Sequence, residues 1–462
     1  MKADKLSFRT KTLFSAGDLS TSIPLAIVMF FQLYFLTDVA GLPPALAAWA
    51  VGIGRIWDAV NDPLFGLISD RIQSRWGRRR VLLLFGALPL GVSFAMMWFV
   101  PPWAPPALTA YYAVAFILFD TIFTAVHVGY NALTPEMTPD YDERSSLNGY
   151  RMVFSIAGTL GAIILATVLG WTIADARSLY VVVGVSLGLA SILPPLVVFS
   201  VTRDLPTGTL SEPLPAVKSL KATLSNRPFA LVMGLYLLSW TAASILAAAL
   251  VYFANYYLGV PDQANYFVLI AQGAAILFIP LVVWLARQLD KRRAFILGSA
   301  SWILVLLGIF FVQPSQVTLA YVLAGLSGFG IATAYVVPWS MVPDIIEYDE
   351  LKTGQRREGS YYAFASFFQK LATGAAIWAM GQALAFTGYI TPKSGAPLPA
   401  QPAQAVQAIR FFMGPVPVVL LVLAILFSWR YPISRERHRA LRDELAARET
   451  SARMRKTVPR GE

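Results

Sequence analysis

The sequence predicts an all-α membrane protein with twelve transmembrane helices in two six-helix, pseudo-symmetric halves. Three observations carry this. Of the 462 residues, 56% are hydrophobic and only 14% are charged, with a mean hydropathy of +0.59; soluble domains carry roughly 45–50% apolar and about 25% charged residues. The apolar residues fall in runs long enough to cross a bilayer. The loops between those runs alternate between basic and nearly bare, and the pattern returns after six runs.

A helix needs about 20 mostly apolar residues to span the hydrocarbon core. Such segments lie at 14–40, 44–69, 81–101, 107–134, 150–172, 178–201, 229–258, 264–288, 294–312, 316–345, 360–386 and 408–429. Several contain Pro, Gly or an acidic residue, which a packed bundle tolerates when neighbours satisfy the freed groups. Trp98, Trp103 and Trp171 stand near span ends, as expected of an aromatic belt at the membrane interface.

Loop charges set the orientation. Arg71, Arg75, Arg78, Arg79 and Arg80 follow the second span; Arg287, Lys291, Arg292 and Arg293 follow the eighth. Arg203, Lys218, Lys221 and Arg227 occupy the middle loop, and Lys352, Arg356 and Arg357 follow the tenth span. The alternate loops hold little beyond Asp175, Arg177, Asp262 and Lys393. Positive loops stay in the cytoplasm, so both termini are expected there, with the protein in a bacterial cytoplasmic (inner) membrane.

The repeat fixes the domain expectation. Tyr130-Asn131-Ala132-Leu133-Thr134-Pro135-Glu136 ends the fourth span, and Tyr141-Asp142-Glu143 follows. Pro338-Trp339-Ser340-Met341-Val342-Pro343-Asp344 ends the tenth, and Tyr348-Asp349-Glu350 follows. Each then leads into a span with one cation, Arg151 or Lys370. The expected division is an N-terminal half (1–201), a cytoplasmic central loop (202–228), a C-terminal half (229–430) and a charged, solvated tail (431–462). Repeats of this kind are typical of secondary transporters, whose site lies between the halves at mid-membrane.

Several classes are excluded. No Cys is present, so no disulfide framework or thiolate metal site exists. His127 and His438 are the only histidines, too few for a histidine-rich metal centre, and no cofactor or metal beyond a coupling ion is expected. The basic stretch Met1–Lys11 lacks the apolar core of a removable signal peptide. No G-x-x-x-x-G-K-[ST] sequence for ATP binding occurs, and no nucleophile–base pair marks an enzyme. The net charge of +11, from 37 Lys and Arg against 26 Asp and Glu, sits mostly in loops and tail, where it faces the lipid bilayer rather than nucleic acid. A transporter-like membrane sensor is the remaining non-transport alternative, and the unit is expected to act as a monomer.

An ionisable residue inside the membrane costs several kcal/mol unless paired or hydrated, so it points to function. Arg55-Ile56-Trp57-Asp58-Ala59-Val60-Asn61-Asp62-Pro63 lies in the second span. Asp58 and Asp62 share one helix face about 6 Å apart along the axis. They repel unless a cation, a proton or Arg55 neutralises them, and oxygen ligands, with Asn61 adding one, suit a hard cation. The fourth span offers Asp120, Phe123, Thr124, His127 and Asn131; the spacing sets Asp120, Thr124, His127 and Asn131 on one face. Asp120 is a third candidate carboxylate, and His127 is either titratable near neutral pH or a hydrogen-bond donor. The candidate cation site is therefore Asp58, Asp62, Asn61, Asp120, Thr124 and His127.

Lys370 lies well inside the eleventh span, flanked by Phe367, Phe368 and Leu371. It either snorkels or meets an anion such as the second-span carboxylates or a substrate. Arg151 begins the fifth span. Asp18, within Gly17-Asp18-Leu19-Ser20-Thr21-Ser22, fits two roles, substrate contact and helix capping. Phe123, Tyr335 and Trp339 offer surfaces to stack on a ring or line an acyl path. Asp18, Phe123, Asn131, Arg151, Tyr335, Trp339 and Lys370 form the candidate substrate set. Asp70, Arg71, Arg78, Asp142, Arg144 and Asp349 form a candidate cytoplasmic network that latches the halves, alongside their plain role in setting topology.

These residues resemble the major facilitator superfamily, and within it the glycoside–pentoside–hexuronide:cation symporters. The resemblance covers nearly the whole chain. It rests on the Arg55–Pro63 stretch, Arg75-Trp76-Gly77-Arg78-Arg79-Arg80, Ala132-Leu133-Thr134-Pro135-Glu136, Asp140-Tyr141-Asp142-Glu143-Arg144, Tyr150-Arg151-Met152-Val153-Phe154 and Phe367-Phe368-Gln369-Lys370. It implies alternating access and solute uptake coupled to sodium or protons. Asp58 and Asp62 match the family's paired cation-site carboxylates, Lys370 the lysine beside them, and Arg151 and Asp18 sugar-site residues. His127 and Asn131 depart from the sugar pattern, which carries an aspartate and a stacking tryptophan there. Leu118-Phe119-Asp120-Thr121 through His127-Val128 is instead similar to the animal sodium-dependent lysophosphatidylcholine symporters of the same wider family. The expectation is a symporter of a sugar or glycoside, with a lysophospholipid as the alternative solute and Na+ preferred to H+ as coupling ion.

Overall fold

In hydrocarbon the backbone can satisfy its N–H and C=O groups only internally, so each apolar run becomes a helix. The structure, a computed structural model, describes residues 6–72, 74–138, 141–202, 225–353, 358–392 and 398–433, with 435–437, 440, 441 and 444 beyond. Among the described residues twelve long helical segments follow in order: α1 (Phe8–Val39), α2 (Pro44–Arg71), α3 (Arg80–Met96), α4 (Pro105–Met137), α5 (Tyr141–Thr172), α6 (Ala176–Val201), α7 (Arg227–Tyr257), α8 (Ala264–Leu289), α9 (Lys291–Phe311), α10 (Val317–Thr353), α11 (Glu358–Phe386) and α12 (Ala403–Trp429). Among the described residues nine of these are long and apolar enough to cross a membrane. The other three are α3, which is shorter, and α2 and α11, which carry the embedded charges.

Local chemistry sets the ends. Pro begins α2 and α4 and stands second in α7, where its missing N–H has no intrahelical partner to lose. Asp175 caps α6 by accepting the Ser178 N–H at 2.8 Å, and that bond holds its carboxyl below the usual carboxylate range. Gly414 breaks α12 into Ala403–Met413 and Pro415–Trp429.

The packing is pseudo-twofold. In the first half α2 packs on α4 and α3 on α6; in the second, α8 packs on α10 and α9 on α12. Across the halves the pairs are α1 with α7, α2 with α11 and α5 with α8. Backbones approach where side chains are small: a Cβ on Gly91 of α3 would sit 2.5 Å from the Gly188 carbonyl oxygen of α6. Such small-residue contacts replace the hydrophobic drive that lipid does not supply between helices.

Two expectations change here. Trp98 is not an interfacial belt residue: it is 1% exposed, stacked on Tyr180 at 5.6 Å and edge-on to Phe35 at 5.0 Å. The helix α3 stops at Met96, and the turn after it folds Trp98 inward, whereas Trp103 and Trp171 do face outward. The tail is not solvated from its start either. Tyr431, Ile433 and Leu441 are buried with Phe229, Phe295 and Tyr361, and Arg435 donates to the Arg287 carbonyl at 2.7 Å. Three apolar side chains among the charges suffice to dock it. The central loop from 203 to 224 and most of the tail lie outside the described residues.

Gly91→Val should destabilise the protein by about 1–3 kcal/mol, the usual cost of overpacking, because the facing group is backbone. Gly161→Ala, where an added Cβ meets nothing within 4 Å, should be neutral. Thermal unfolding in detergent checks both.

Candidate functional site

Asp58 lies midway along the 28-residue α2, and Lys370 comes to it from α11. The Lys370 ammonium sits 2.5 Å from Asp58 Oδ1 and 2.7 Å from Asp62 Oδ2. The arrangement is the paired form of the two sequence alternatives for Lys370, not the snorkelling one. Arg55, one turn before Asp58, approaches its other oxygen at 3.7 Å and lies over the Phe116 ring at 5.4 Å. Asp58 has a 5% exposed side chain and Asp62 a 35% exposed one, so Asp62 is the more accessible member of the pair.

The helix α4 completes this cluster from the opposite side. Thr124 donates to Asp62 Oδ1 at 3.0 Å. Asn61 donates to the Asp120 main-chain carbonyl at 3.0 Å. The Asp120 carboxyl is buried, one of its oxygens has no hydrogen-bond partner, and Asp58, Arg55, Lys370 and Asp62 are the charged groups acting on it. His127, two turns on, stacks on Phe123 at 5.7 Å and meets the Asn131 amide through Nε2 at 2.7 Å; its buried Nδ1 is unpartnered.

A second cluster joins α1, α4 and α5. Arg151 binds Asp18 with two nitrogens, at 2.7 and 3.1 Å, a bidentate geometry suited to a guanidinium. It also donates to Asn131 Oδ1 at 2.7 Å and Thr134 Oγ1 at 2.9 Å and covers the Tyr130 ring at 4.4 Å. Tyr130 donates to Asp18 at 2.7 Å. Asp18 makes no capping bond with its side chain, because the carboxylate is committed to Arg151 and Tyr130; the capping alternative is set aside. Asn131 therefore links the two clusters, touching His127 with its amide nitrogen and Arg151 with its oxygen.

Between the halves lies a cavity of about 520 Å³ lined from α1, α5, α7, α8 and α10. Leu25, Met29, Ile156, Ile276, Ile279 and Val336 make most of its wall, and Trp240, Tyr335 and Trp339 its aromatic side. Ser22 and Ser155, one turn beyond Asp18 and Arg151, bring it to the edge of the second cluster. The few polar groups are largely engaged: Ser22 donates to the Asp18 carbonyl, Thr159 to the Ser155 carbonyl, Trp240 to Thr373 and Trp339 to Tyr236. Tyr335 and Trp339 thus line the cavity. Phe123 does not; it is buried in the core against His127. Trp240, Gln272 and Thr373 were missed by sequence reasoning. Gln272, an amide in the middle of the apolar α8, was the one legible signal.

At the end of the bundle bearing the basic loops, two ion pairs each lie within one half: Lys11 with Glu143 at 2.8 Å and Lys291 with Asp344 at 2.7 Å. Arg79 donates to the Ala132 carbonyl, and Lys291 to the Ser340 carbonyl at 2.7 Å; the repeat places these acceptors at equivalent positions. Asp349 is buried and Arg78 half-buried. The side chains of Asp70, Arg71, Asp142 and Arg144 lie outside the described residues.

A family profile described as MFS/sugar transport protein matches residues 13–435. An uncharacterized symporter of Synechocystis sp. is 34% identical, covering 97% of this chain and 98% of its own. The sodium-dependent lysophosphatidylcholine symporter 1 of Xenopus tropicalis is 28% identical over 94% of this chain and 89% of its own. A putative glycoside/cation symporter of Escherichia coli (strain K12) is 27% identical over 96% and 95%. Among solved structures, a D-xylose-proton symporter shares the fold with a TM-score of 0.65 at 17% identity, over 92% of this chain and 98% of that one. With a matching profile over most of its length, two embedded charge clusters and a cavity between two packed halves, the chain belongs to the MFS/sugar transport protein family and is an integral membrane symporter of the major facilitator type.

Proposed function

We propose that this protein couples sodium entry to the symport of a single-chain amphiphile of the lysophospholipid class. The cavity carries this reading. A sugar presents a hydroxyl on nearly every carbon, and each one buried without a partner costs free energy. The wall offers mainly apolar side chains, and its hydroxyl and indole groups are mostly engaged already. A long apolar tail fits that wall, and a charged head fits the Asp18–Arg151–Asn131 cluster beside it. The name of the Xenopus tropicalis relative points the same way. The sugar or glycoside reading retains one favourable observation, the aromatic side formed by Trp240, Tyr335 and Trp339, together with the name of the Escherichia coli relative.

The proposed ion site is Asp58, Asp62, Asp120 and Thr124, with Asn61 and His127 as supports. Arg55 and Lys370 together offset Asp58 and Asp62, so a sodium ion adds one positive charge. An ionised Asp120 cancels it. The oxygen ligands suit a hard cation. Lys370 occupies the space between the two carboxylates, so ion entry at the exposed Asp62 competes with the ammonium and loosens the tie between α2 and α11. Coupling then proceeds by alternating access between halves 1–201 and 229–430, joined by 202–228, in a monomer embedded in the lipid bilayer. The basic loops support cytoplasmic termini in a bacterial inner membrane.

In proteoliposomes at fixed pH, an inward sodium gradient should drive accumulation of a lysophosphatidylcholine. Sodium-driven accumulation of a glycoside and none of the lysolipid would replace the solute assignment; flux indifferent to sodium but driven by protons would replace the ion.

Asp62→Asn should abolish gradient-driven accumulation while the protein still inserts and elutes as a monodisperse species, since it removes the accessible carboxylate. Accumulation at the wild-type rate would refute the site. Thr124→Val, which deletes only the hydroxyl bonded to Asp62, should raise the sodium concentration for half-maximal flux about tenfold, the scale of one hydrogen bond to a charged group. A sodium titration of initial rates reads it.

A further inference from the structure

The first helices of the two halves end in the same device. Tyr34-Phe35-Leu36-Thr37-Asp38-Val39-Ala40-Gly41-Leu42 closes α1, and Tyr252-Phe253-Ala254-Asn255-Tyr256-Tyr257-Leu258-Gly259-Val260 closes α7. Each forms a π-helical turn, Phe35–Val39 and Phe253–Tyr257. Each then turns on a glycine with positive φ, 77° at Gly41 and 71° at Gly259. The closing backbone bonds match as well: Leu42 to Leu36 and Val260 to Ala254, both 2.9 Å. Single π turns inside α-helices are uncommon and frequent at functional sites.

The two copies meet face to face. Tyr34 and Tyr252, at equivalent positions, pack edge-on at 5.7 Å. Asp38 and Tyr256, also equivalent, are hydrogen-bonded to each other. Thr37 bridges to the Tyr252 hydroxyl at 2.7 Å and to Asp38 Oδ2 at 2.5 Å. Tyr389, just after α11, donates to both Asp38 oxygens at 2.8 and 2.9 Å. Tyr389 also packs edge-on against Tyr252 and Tyr256. Among the described residues Asp38 has no ion pair; Arg177 binds the neighbouring Val39 carbonyl instead. One carboxylate of the first half is therefore held by hydroxyls from α7 and from the segment after α11.

We propose that Asp38 is the hub of a latch that holds this end of the bundle, opposite the termini, shut. Every cross-half bond of the latch must break when α1 separates from α7 and α11. Hydrogen bonds from neutral hydroxyls to a carboxylate are stronger than neutral pairs, yet water can replace each one as the end opens. A buried ion pair would resist opening more, because separation leaves two charges to be rehydrated. The repeat explains why one acid serves both halves: the second copy carries Tyr256 where the first carries Asp38.

Because the chain has no cysteine, spin labels can be placed uniquely at Ala174→Cys and Ser315→Cys. These exposed loop positions lie at this end, one on each half. Pulsed electron paramagnetic resonance on the purified protein should give a dominant short distance. Asp38→Ala should shift the open-to-closed ratio at least about tenfold towards a longer distance, as expected for lost bonds to a charged group. Tyr256→Phe/Tyr389→Phe, which keeps the rings and removes only the hydroxyls, should move it the same way if Asp38→Ala fails to fold. A distance distribution identical to wild type in the tyrosine variant, or in a folded Asp38→Ala, overturns the latch. No solute enters the measurement, so the result stands apart from the substrate and ion assignments.

Discussion

The Lys370 ammonium between Asp58 and Asp62 is the contact on which the rest of the site depends. Any one of these charges alone would be costly at mid-membrane; breaking a buried pair by removing a partner costs more than the pair contributes. Their mutual need ties α11 to α2. Glycines make the approach possible: Gly374 lies against the stem of Arg55, and Gly381 against Ala48 and the Pro44 carbonyl. Trp49 and Trp378 pack edge-on farther along. Charge pairing and helix packing are thus one interaction, and in the proposed function a cation competing for the carboxylates would also act on the joint between the halves.

The pseudo-symmetry is one of backbone, filled differently on each side. The basic loops after α2 and α8 fasten to equivalent carbonyls, Ala132 and Ser340. Counting back sixteen residues from Tyr34 and Tyr252 reaches Asp18 in one half and Tyr236 in the other. Asn131 is likewise matched by Trp339. Where the first half builds the Asp18–Arg151–Asn131 charge cluster, the second places Tyr236 beneath Trp339 at 3.1 Å and Trp339 stacked on Tyr362. The cavity between the halves consequently has an aromatic side from the second half and, at Ser22 and Ser155, reaches the edge of the charge cluster of the first. A repeated scaffold with unlike fillings thus sets an apolar, aromatic cavity beside a charge cluster without any extra element.

Much of this was legible in the chain. The helices follow largely from run length, because hydrocarbon leaves the backbone no other partner; among the described residues nine are long and apolar enough to span, while α2, α3 and α11 are not. The acids of the second and fourth spans stood out because charge in an apolar run is expensive. Trp98 misled because a tryptophan at a span end reads the same whether its ring turns out to lipid or inward onto Tyr180. Phe123 misled for a related reason: nothing in a sequence says that α4 contributes no wall to the cavity and that Phe123 is buried in the core beside His127. Asp38 passed unnoticed because an acid near a span end looks like an interfacial residue, although its neighbours repeat around Tyr256.

What the sequence determined by itself was the set of helices, their repeat, and the identity of the charged side chains that must be neutralised. These are one-dimensional properties, set by hydropathy, spacing and the cost of burying charge. Only the tertiary structure decided the partners: Lys370 for Asp58 and Asp62, Arg151 for Asp18, Tyr256 and Tyr389 for Asp38. Each of those contacts joins residues more than a hundred positions apart. Which distant helix supplies the compensating group depends on how twelve nearly equivalent cylinders pack, and that is settled by small-residue contacts such as Gly91 with Gly188 and by the symmetry axis, neither of which has a local signature.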